Sequence, residues 1–275
     1  MAANEMTTPL LKDRTIIIKG AGELATGVAC RLYRANFRRI LMLEITAPLA
    51  VRRRVSFCET IHDKNMMVEG IEAVRVNKDS ELLEAWKNGK IAVRVDPKAE
   101  SLHHDKPAVF IDATLAKRNL GTCISDAPLV IALGPGFVAG KDADVVVETN
   151  RGHDLGRLIL AGAAEANTGD PGNIGGYTKE RIIRSPANGI FIAEKQIGDA
   201  VTKGDLIGRV GRTAVIAPLD GMLRGLIRPE ISVTTGLKIG DVDPRNEVSY
   251  CDTISEKARA LGGAVLEAIL ARYNL

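Results

Sequence analysis

The chain has 275 residues, 45% of them hydrophobic and 26% charged, with a formal net charge of +3. That length can build two domains with a full core, and so small a charge does not point to a nucleic-acid partner. No apolar run reaches membrane-spanning length, and Cys30, Cys58, Cys123 and Cys251 form no C-x-x-C pair, which argues against a disulfide scaffold or a zinc site.

Residues 1–14 lack the apolar core of a signal peptide and read as a frayed lead-in to a cytoplasmic protein. Residues 15–19 then form an apolar strand that runs into Gly20, Ala21, Gly22, Glu23, Leu24 and Ala25. This fits the G-x-G-x-x-G/A dinucleotide pattern, with Ala25 in the third small position. Gly20 allows a tight turn, Gly22 lets a pyrophosphate approach the backbone, and Ala25 lets a helix pack close to the strand. The helix start, at Glu23, offers free N–H groups to phosphates. The bland reading is a structural turn that binds nothing.

Leu24, Val28 and Leu32 make one apolar helical face. Residues 40–44 are a second strand ending in Glu44, placed where a ribose-binding acid falls. An acid there accepts from a 2′-hydroxyl and repels a 2′-phosphate, which favours NAD-like or adenosine-type ligands over NADP. The basic runs Arg38-Arg39 and Arg52-Arg53-Arg54 read as solvated helix faces or ligand contacts.

Further on, residues 80–87 read as a helix, and residues 91–95, 108–111, 129–133 and 145–148 as strands. His103 and His104 fall in a polar loop. Strands alternating with helices predict a doubly wound parallel sheet of Rossmann-like type. Ligands bind at the carboxyl ends of such strands, so Gly20, Glu44, Asp112, Gly134 with Gly136, and Glu148 are expected along one crevice. A helix from Leu155 to Ala163 would set Arg151, His153 and Arg157 beside a second helix N-terminus. They read as an anion contact or as a capped turn with Asp154 at the cap.

A glycine-rich linker follows over residues 167–180. Beyond it, residues 185–210 align with 217–242 at an offset of 32, with identities at Pro186/Pro218, Gly189/Gly221, Val201/Val233, Thr202/Thr234, Gly204/Gly236, Ile207/Ile239, Gly208/Gly240 and Val210/Val242. This duplication resembles the hammerhead of biotinyl and lipoyl carrier domains. The hairpin where carriers hold their modified lysine has none here, only residues 210–215 around Arg212, so the resemblance implies a docking module. Residues 254–273 close the chain as a helix with Leu261, Val265, Leu266, Ile269 and Leu270 on its apolar side.

The expected fold is therefore α/β. A Rossmann-like nucleotide-binding domain spans 1–166 and a linker 167–180. A small β-rich biotinyl/lipoyl hammerhead-like domain spans 181–250, and a C-terminal helix 251–275.

Several stretches together carry a wider resemblance: KGAGELATG (19–27), PLAVRR (48–53), LGPGF (133–137), ETNRGHDLGR (148–157), NTG (167–169), LRGLI (223–227), GLKIGDVDPR (236–245) and SEKA (255–258). The chain is similar to the selenium-dependent molybdenum hydroxylase system protein family of YqeB type. The resemblance implies an accessory, maturation role toward a molybdenum hydroxylase or its cofactor-assembly proteins. It implies no reaction and transfers no catalytic residue. Arg52, Arg53, Arg151, His153, Arg157, Asp243 and Arg245 are the polar motif members to test.

Three functional expectations follow. The first is a maturation factor that binds an NAD-like nucleotide or the dinucleotide form of the molybdenum cofactor, alone or as a homo-oligomer. The second is an NAD-dependent oxidoreductase with His153 or Asp112 as acid/base. The third is a scaffold with an empty site. The cofactor-binding candidates are Gly20, Gly22, Glu23, Ala25, Glu44, Gly134, Gly136, Arg151, His153 and Arg157. Cys123 reads as a structural cysteine.

Overall fold

A computed structural model describes residues 10–274. The expected lead-in falls largely outside them, though Leu11–Asp13 form a short 3-10 turn. The first unit runs β1 (Ile16–Lys19), α1 (Glu23–Arg34), β2 (Ile40–Glu44), α2 (Thr60–Asp63), β3 (Asn65–Val68), β4 (Ile71–Arg75), α3 (Asp79–Lys87), β5 (Ile91–Val95), α4 (Ser101–Asp105), β6 (Val109–Asp112), β7 (Val130–Leu133), β8 (Val138–Ala139), β9 (Val145–Val147), β10 (Leu158–Ile159) and β11 (Gly162–Ala163). The His103-His104 pair lies on α4 rather than in a loop.

Nine strands join in the order β10-β9-β7-β6-β1-β2-β5-β4-β3. The inner strands read as near-continuous apolar runs because both faces of the sheet are covered. Ile16, Ile18, Ile40, Met42 and Ile111 belong to the core on one face, and Ile17, Leu41, Leu43, Phe110 and Val130 to the core on the other.

The Rossmann-like parallel sheet is corrected here: the sheet is mixed. A two-residue turn at Glu69 and Gly70, both at positive φ, folds β3 back antiparallel on β4. At the opposite edge β10 returns antiparallel to β9. The helix expected from Leu155 to Ala163 is absent. Gly156 and Gly162 take φ of +85° and +92°, and the segment forms turns and the short strands β10 and β11. No helix joins β6 to β7.

The second unit runs β12 (Ile182–Arg184), β13 (Gly189–Ala193), β14 (Ala200–Val201), β15 (Leu206–Val210), β16 (Thr213–Ile216), β17 (Gly221–Leu226), β18 (Ile231–Val233) and β19 (Lys238–Asp243). The 32-residue offset relates β13 to β17 and β15 to β19. These strands build two antiparallel sheets, β12-β19-β17-β14 and β16-β15-β13-β18. Each sheet takes one strand from the other half of the repeat, because β14 pairs with β17 and β18 with β13.

The hammerhead-like carrier domain is also corrected. A freestanding module of antiparallel sheets leaves one face of each to solvent. Here every residue of β17 is buried, and the sheet carrying it is built into the seam with the first unit. Val51 packs against the core of this second unit.

The chain then returns to the first unit as α5 (Glu256–Tyr273), capped by the Ser255 hydroxyl. It crosses α1 so closely that a Cβ at Gly27 would lie 2.6 Å from the Ala258 Cβ. Ala258, Leu261, Val265 and Ile269 join the core around β1, and the Tyr273 hydroxyl donates to the Ala108 carbonyl at 2.7 Å. Among the described residues no helix is long and apolar enough to cross a membrane.

Candidate functional site

From β1 the chain proceeds to β2 on one side, whereas from β6, on β1's other side, it proceeds to β7 and away. Connections that diverge from neighbouring parallel strands leave a crevice at the strand ends. The glycine turn lies there. Gly20 has φ of +98°, and a Cβ on it would lie 3.1 Å from the Ala113 carbonyl oxygen. Its backbone and its neighbours both require glycine.

Gly22 differs. Its φ of −69° suits any residue, and a Cβ there would meet nothing within 4 Å. It caps α1 without a side chain and faces open space. The first helical hydrogen bond runs from the Thr26 N–H to the Gly22 carbonyl, so the N–H groups of Glu23, Leu24 and Ala25 have no partner within the helix.

Glu44 reaches back to this turn. Its carboxylate accepts the Ala21 N–H at 2.9 Å and the Ile45 N–H at 2.8 Å. Burial raises its pKa, and the two N–H donors oppose that rise. Glu23, on the first turn of α1, points its carboxylate at Arg52 at 3.2 Å. That ion pair offsets a negative charge that would otherwise repel an anion at the helix start.

These groups line a cavity of about 470 Å³, closed by Ile45, Pro48 and Leu49 on one side and the loop from Ala113 to Leu120 on the other. Cys58 also lines it. Burial, helped by the Glu44 and Glu59 charges, pushes its thiol pKa up, so it is a packed thiol rather than a nucleophile. The loop is tied down by Asp112, which is fully buried. Asp112 accepts from the Thr114 backbone and hydroxyl and from the Thr122 hydroxyl at 2.6 Å, while the Lys19 ammonium lies 3.8 Å away and donates to the Leu120 carbonyl.

Leu24 and Leu115 line this cavity and also a second one of about 250 Å³, so the two are neighbours that share these side chains. Leu115 and Lys117 sit at φ of +53° and +62°, a strained conformation that such side chains rarely adopt. Lys117, Thr149, Asn150, Thr168 and Lys257 make the second cavity polar.

The expected site residues divide. Gly20, Gly22, Glu23, Ala25 and Glu44 converge on the first cavity. Gly134 and Gly136 instead shape loops: at φ of +84° and +107°, a Cβ on either would strike Thr149 or Arg118. Arg151 is bound to Glu256 at 2.6 Å. His153 is exposed on the turn after β9. Arg157 pairs with Asp154 at 3.3 Å at a third cavity, of about 350 Å³, beside Glu148. The second helix N-terminus expected to gather these three does not exist, because the helix is absent.

The basic run 52–54 is not a freely solvated face: it ties the first unit to later parts of the chain. Arg52 donates to the Tyr250 and Thr253 carbonyls, Arg53 to the Leu226 carbonyl, and Arg54 to Asp252. Asp243, another motif member, is buried between Arg224 and Arg245. Lys117 and Lys257 are the cavity residues that sequence reasoning missed. A lysine in a loop and a lysine in a first helical turn carry no pattern that marks them.

No family model matches the chain. Over 255 residues it is 48% identical to a protein of Escherichia coli (strain K12) named "Uncharacterized protein YqeB", a match covering 93% of this chain and 47% of that protein. The chain thus spans about half the length of the curated relative it matches, whose name makes no link to selenium or molybdenum. Among solved structures, a succinylglutamate desuccinylase/aspartoacylase from Rhodobacter sphaeroides is 20% identical, with 23% of this chain and 21% of that chain covered and a TM-score of 0.22. The product-bound ectoine utilization protein EutE (DoeB) from Ruegeria pomeroyi is 12% identical, with 82% and 56% covered and a TM-score of 0.23. An aspartoacylase family protein from Mesorhizobium loti is 11% identical, with 84% of each chain covered and a TM-score of 0.26. Similarity that low carries no argument about fold or activity, so the lasting result of the comparisons is the sequence similarity to the longer Escherichia coli protein.

Proposed function

We propose that the crevice at the end of β1 binds a pyrophosphate-bearing nucleotide, and that the chain acts as an accessory factor rather than through chemistry of its own. The observation that carries this reading is Gly22. Neither its backbone angles nor its neighbours require glycine, yet it leaves open space over helix N–H groups that have no partner within α1. A phosphate at that place satisfies those donors and the helix dipole. Glu44, at the end of the adjacent strand, is within the same cavity for a ribose hydroxyl.

The maturation role toward selenium-dependent molybdenum hydroxylases rests on the motif resemblance alone. Under it the nucleotide is the dinucleotide form of the molybdenum cofactor. The oxidoreductase alternative is less favoured, because His153 does not line the glycine-turn cavity and the buried Asp112 carboxylate is engaged by Thr114 and Thr122.

Calorimetric titration with ADP and NAD tests binding, with Gly22→Asp as the control. Saturable binding lost in a folded Gly22→Asp variant supports the reading, and equal binding by both proteins removes it. Mass spectrometry of small molecules that copurify decides the cofactor: recovery of NAD alone, or of nothing, ends the molybdenum version.

A further inference from the structure

We propose that the second cavity receives a carboxylate carried by the distal part of the nucleotide ligand, held by Lys257. This rests on the nucleotide reading of the first cavity and names what lies beyond the pyrophosphate. The two cavities share Leu24 and Leu115, so the second lies next to the place where the glycine turn would seat a pyrophosphate.

Lys257 occupies an unfavourable place. It lies in the first turn of α5, where the helix dipole disfavours a cation. It is mostly withdrawn from solvent, and this desolvation lowers its pKa; nearby Arg151 lowers it further, while Glu23, Glu148 and Glu256 oppose.

The acids around it are already committed. Glu23 pairs with Arg52 at 3.2 Å and Glu256 with Arg151 at 2.6 Å. Glu148 accepts the N–H groups of Thr149, Asn150 and Glu165. Glu165 accepts the Asn150 amide at 2.6 Å, and Asp170 pairs with Lys179 at 2.5 Å. Among the described residues Lys257 makes no hydrogen bond and no ion pair. A half-buried ammonium with no partner, lining a cavity whose acids are otherwise engaged and whose other lysine, Lys117, is exposed to solvent, calls for a negative charge. The Asn150 amide and the Thr149 and Thr168 hydroxyls stand in the same cavity for the second carboxylate oxygen.

UDP-glucose and UDP-glucuronate differ at one distal carbon, a hydroxymethyl in the first and a carboxylate in the second. Calorimetric titration of the full chain is expected to give about tenfold tighter binding of UDP-glucuronate, the worth of one charge-assisted hydrogen bond. Lys257→Met is expected to erase that preference, with a thermal midpoint no lower than the wild type's as the check on folding. Equal affinities in the wild type, or a preference that survives in Lys257→Met, overturn the carboxylate assignment and leave the nucleotide reading standing. Failure of both sugar nucleotides to bind while ADP or NAD binds overturns the carboxylate assignment alone, and failure of all four overturns both.

Discussion

Strands β13 and β17 occupy equivalent places in the two halves of the repeat, yet they live in different surroundings. β17 is buried throughout, and a Cβ on Gly225 would lie 2.7 Å from the Val51 side chain. β13 alternates, with Phe191 fully buried and Ile190 and Ile192 about half exposed. The duplicated pattern supplies one sheet to each half. Only the half facing residues 51–54 is covered by the rest of the chain. Met222 and Arg224, the counterparts of Ile190 and Ile192, are 7% and 4% exposed. The same strand pattern therefore does two jobs, one as a seam and one as a surface.

Breaking the seam at Arg52 is the largest expected effect. Arg52→Ala removes a buried guanidinium from Glu23 within the first unit and from two carbonyls of the segment between β19 and α5, at a cost of about 3–5 kcal/mol. Urea unfolding measures it, and a loss below about 1 kcal/mol would mean that the seam does not depend on the Arg52 contacts to Tyr250 and Thr253. Next comes Gly225→Val, which overpacks the seam at about 1–3 kcal/mol. On β13 the exposed Ile192 makes no such contact, so Ile192→Val should stay within about 0.5 kcal/mol, and equal costs would remove the contrast between the halves.

A pH series sharpens the comparison further. Burial works against the Asp243 carboxylate, but Arg245 hydrogen bonds and the Arg245 and Arg224 charges outweigh it and hold its pKa below the usual carboxylate range. A depressed folded-state pKa gives stability that is present above the unfolded value near 3.8 and is lost as pH falls through the lower folded value. Asp243→Asn should therefore flatten the decline in stability below about pH 4, and an unchanged acid slope would count against the pairing. The smallest effect belongs to the open half. Ile190→Thr and Ile192→Thr keep β-branched side chains on an exposed face, and each should shift stability by no more than about 0.5 kcal/mol.

Much of the first unit was legible. The apolar runs at 16–19, 40–44, 91–95 and 130–133 could hardly be anything but buried strands. The glycine turn needed Gly20 for its left-handed backbone, which a sequence can advertise. What misled was short-range periodicity. Leu155, Leu158, Ile159 and Ala163 match a helix, but Gly156 and Gly162 at positive φ turn the chain instead, and Arg151, His153 and Arg157 scatter with it. The β3–β4 hairpin went unread although Met66, Val68, Ile71 and Ala73 bracket its Glu69-Gly70 turn. The arginines at 52–54 looked like surface because charged residues usually are. The burial of Arg52 depends on carbonyls roughly two hundred residues away at Tyr250 and Thr253.

Sequence by itself determined the local events: the strand, glycine turn and helix of residues 16–34, and a repeat whose equal spacing required equal strands. Those depend on backbone angles and on apolar periodicity, which neighbouring residues set. Only the tertiary structure decided that the parallel sheet ends in antiparallel edges, that the halves of the repeat exchange strands, and that one half is a seam. It also decided that Lys257 reaches a cavity beside the glycine turn. Those outcomes depend on which distant surfaces exclude water from one another, and on which buried charges find partners. No local pattern in the chain encodes either.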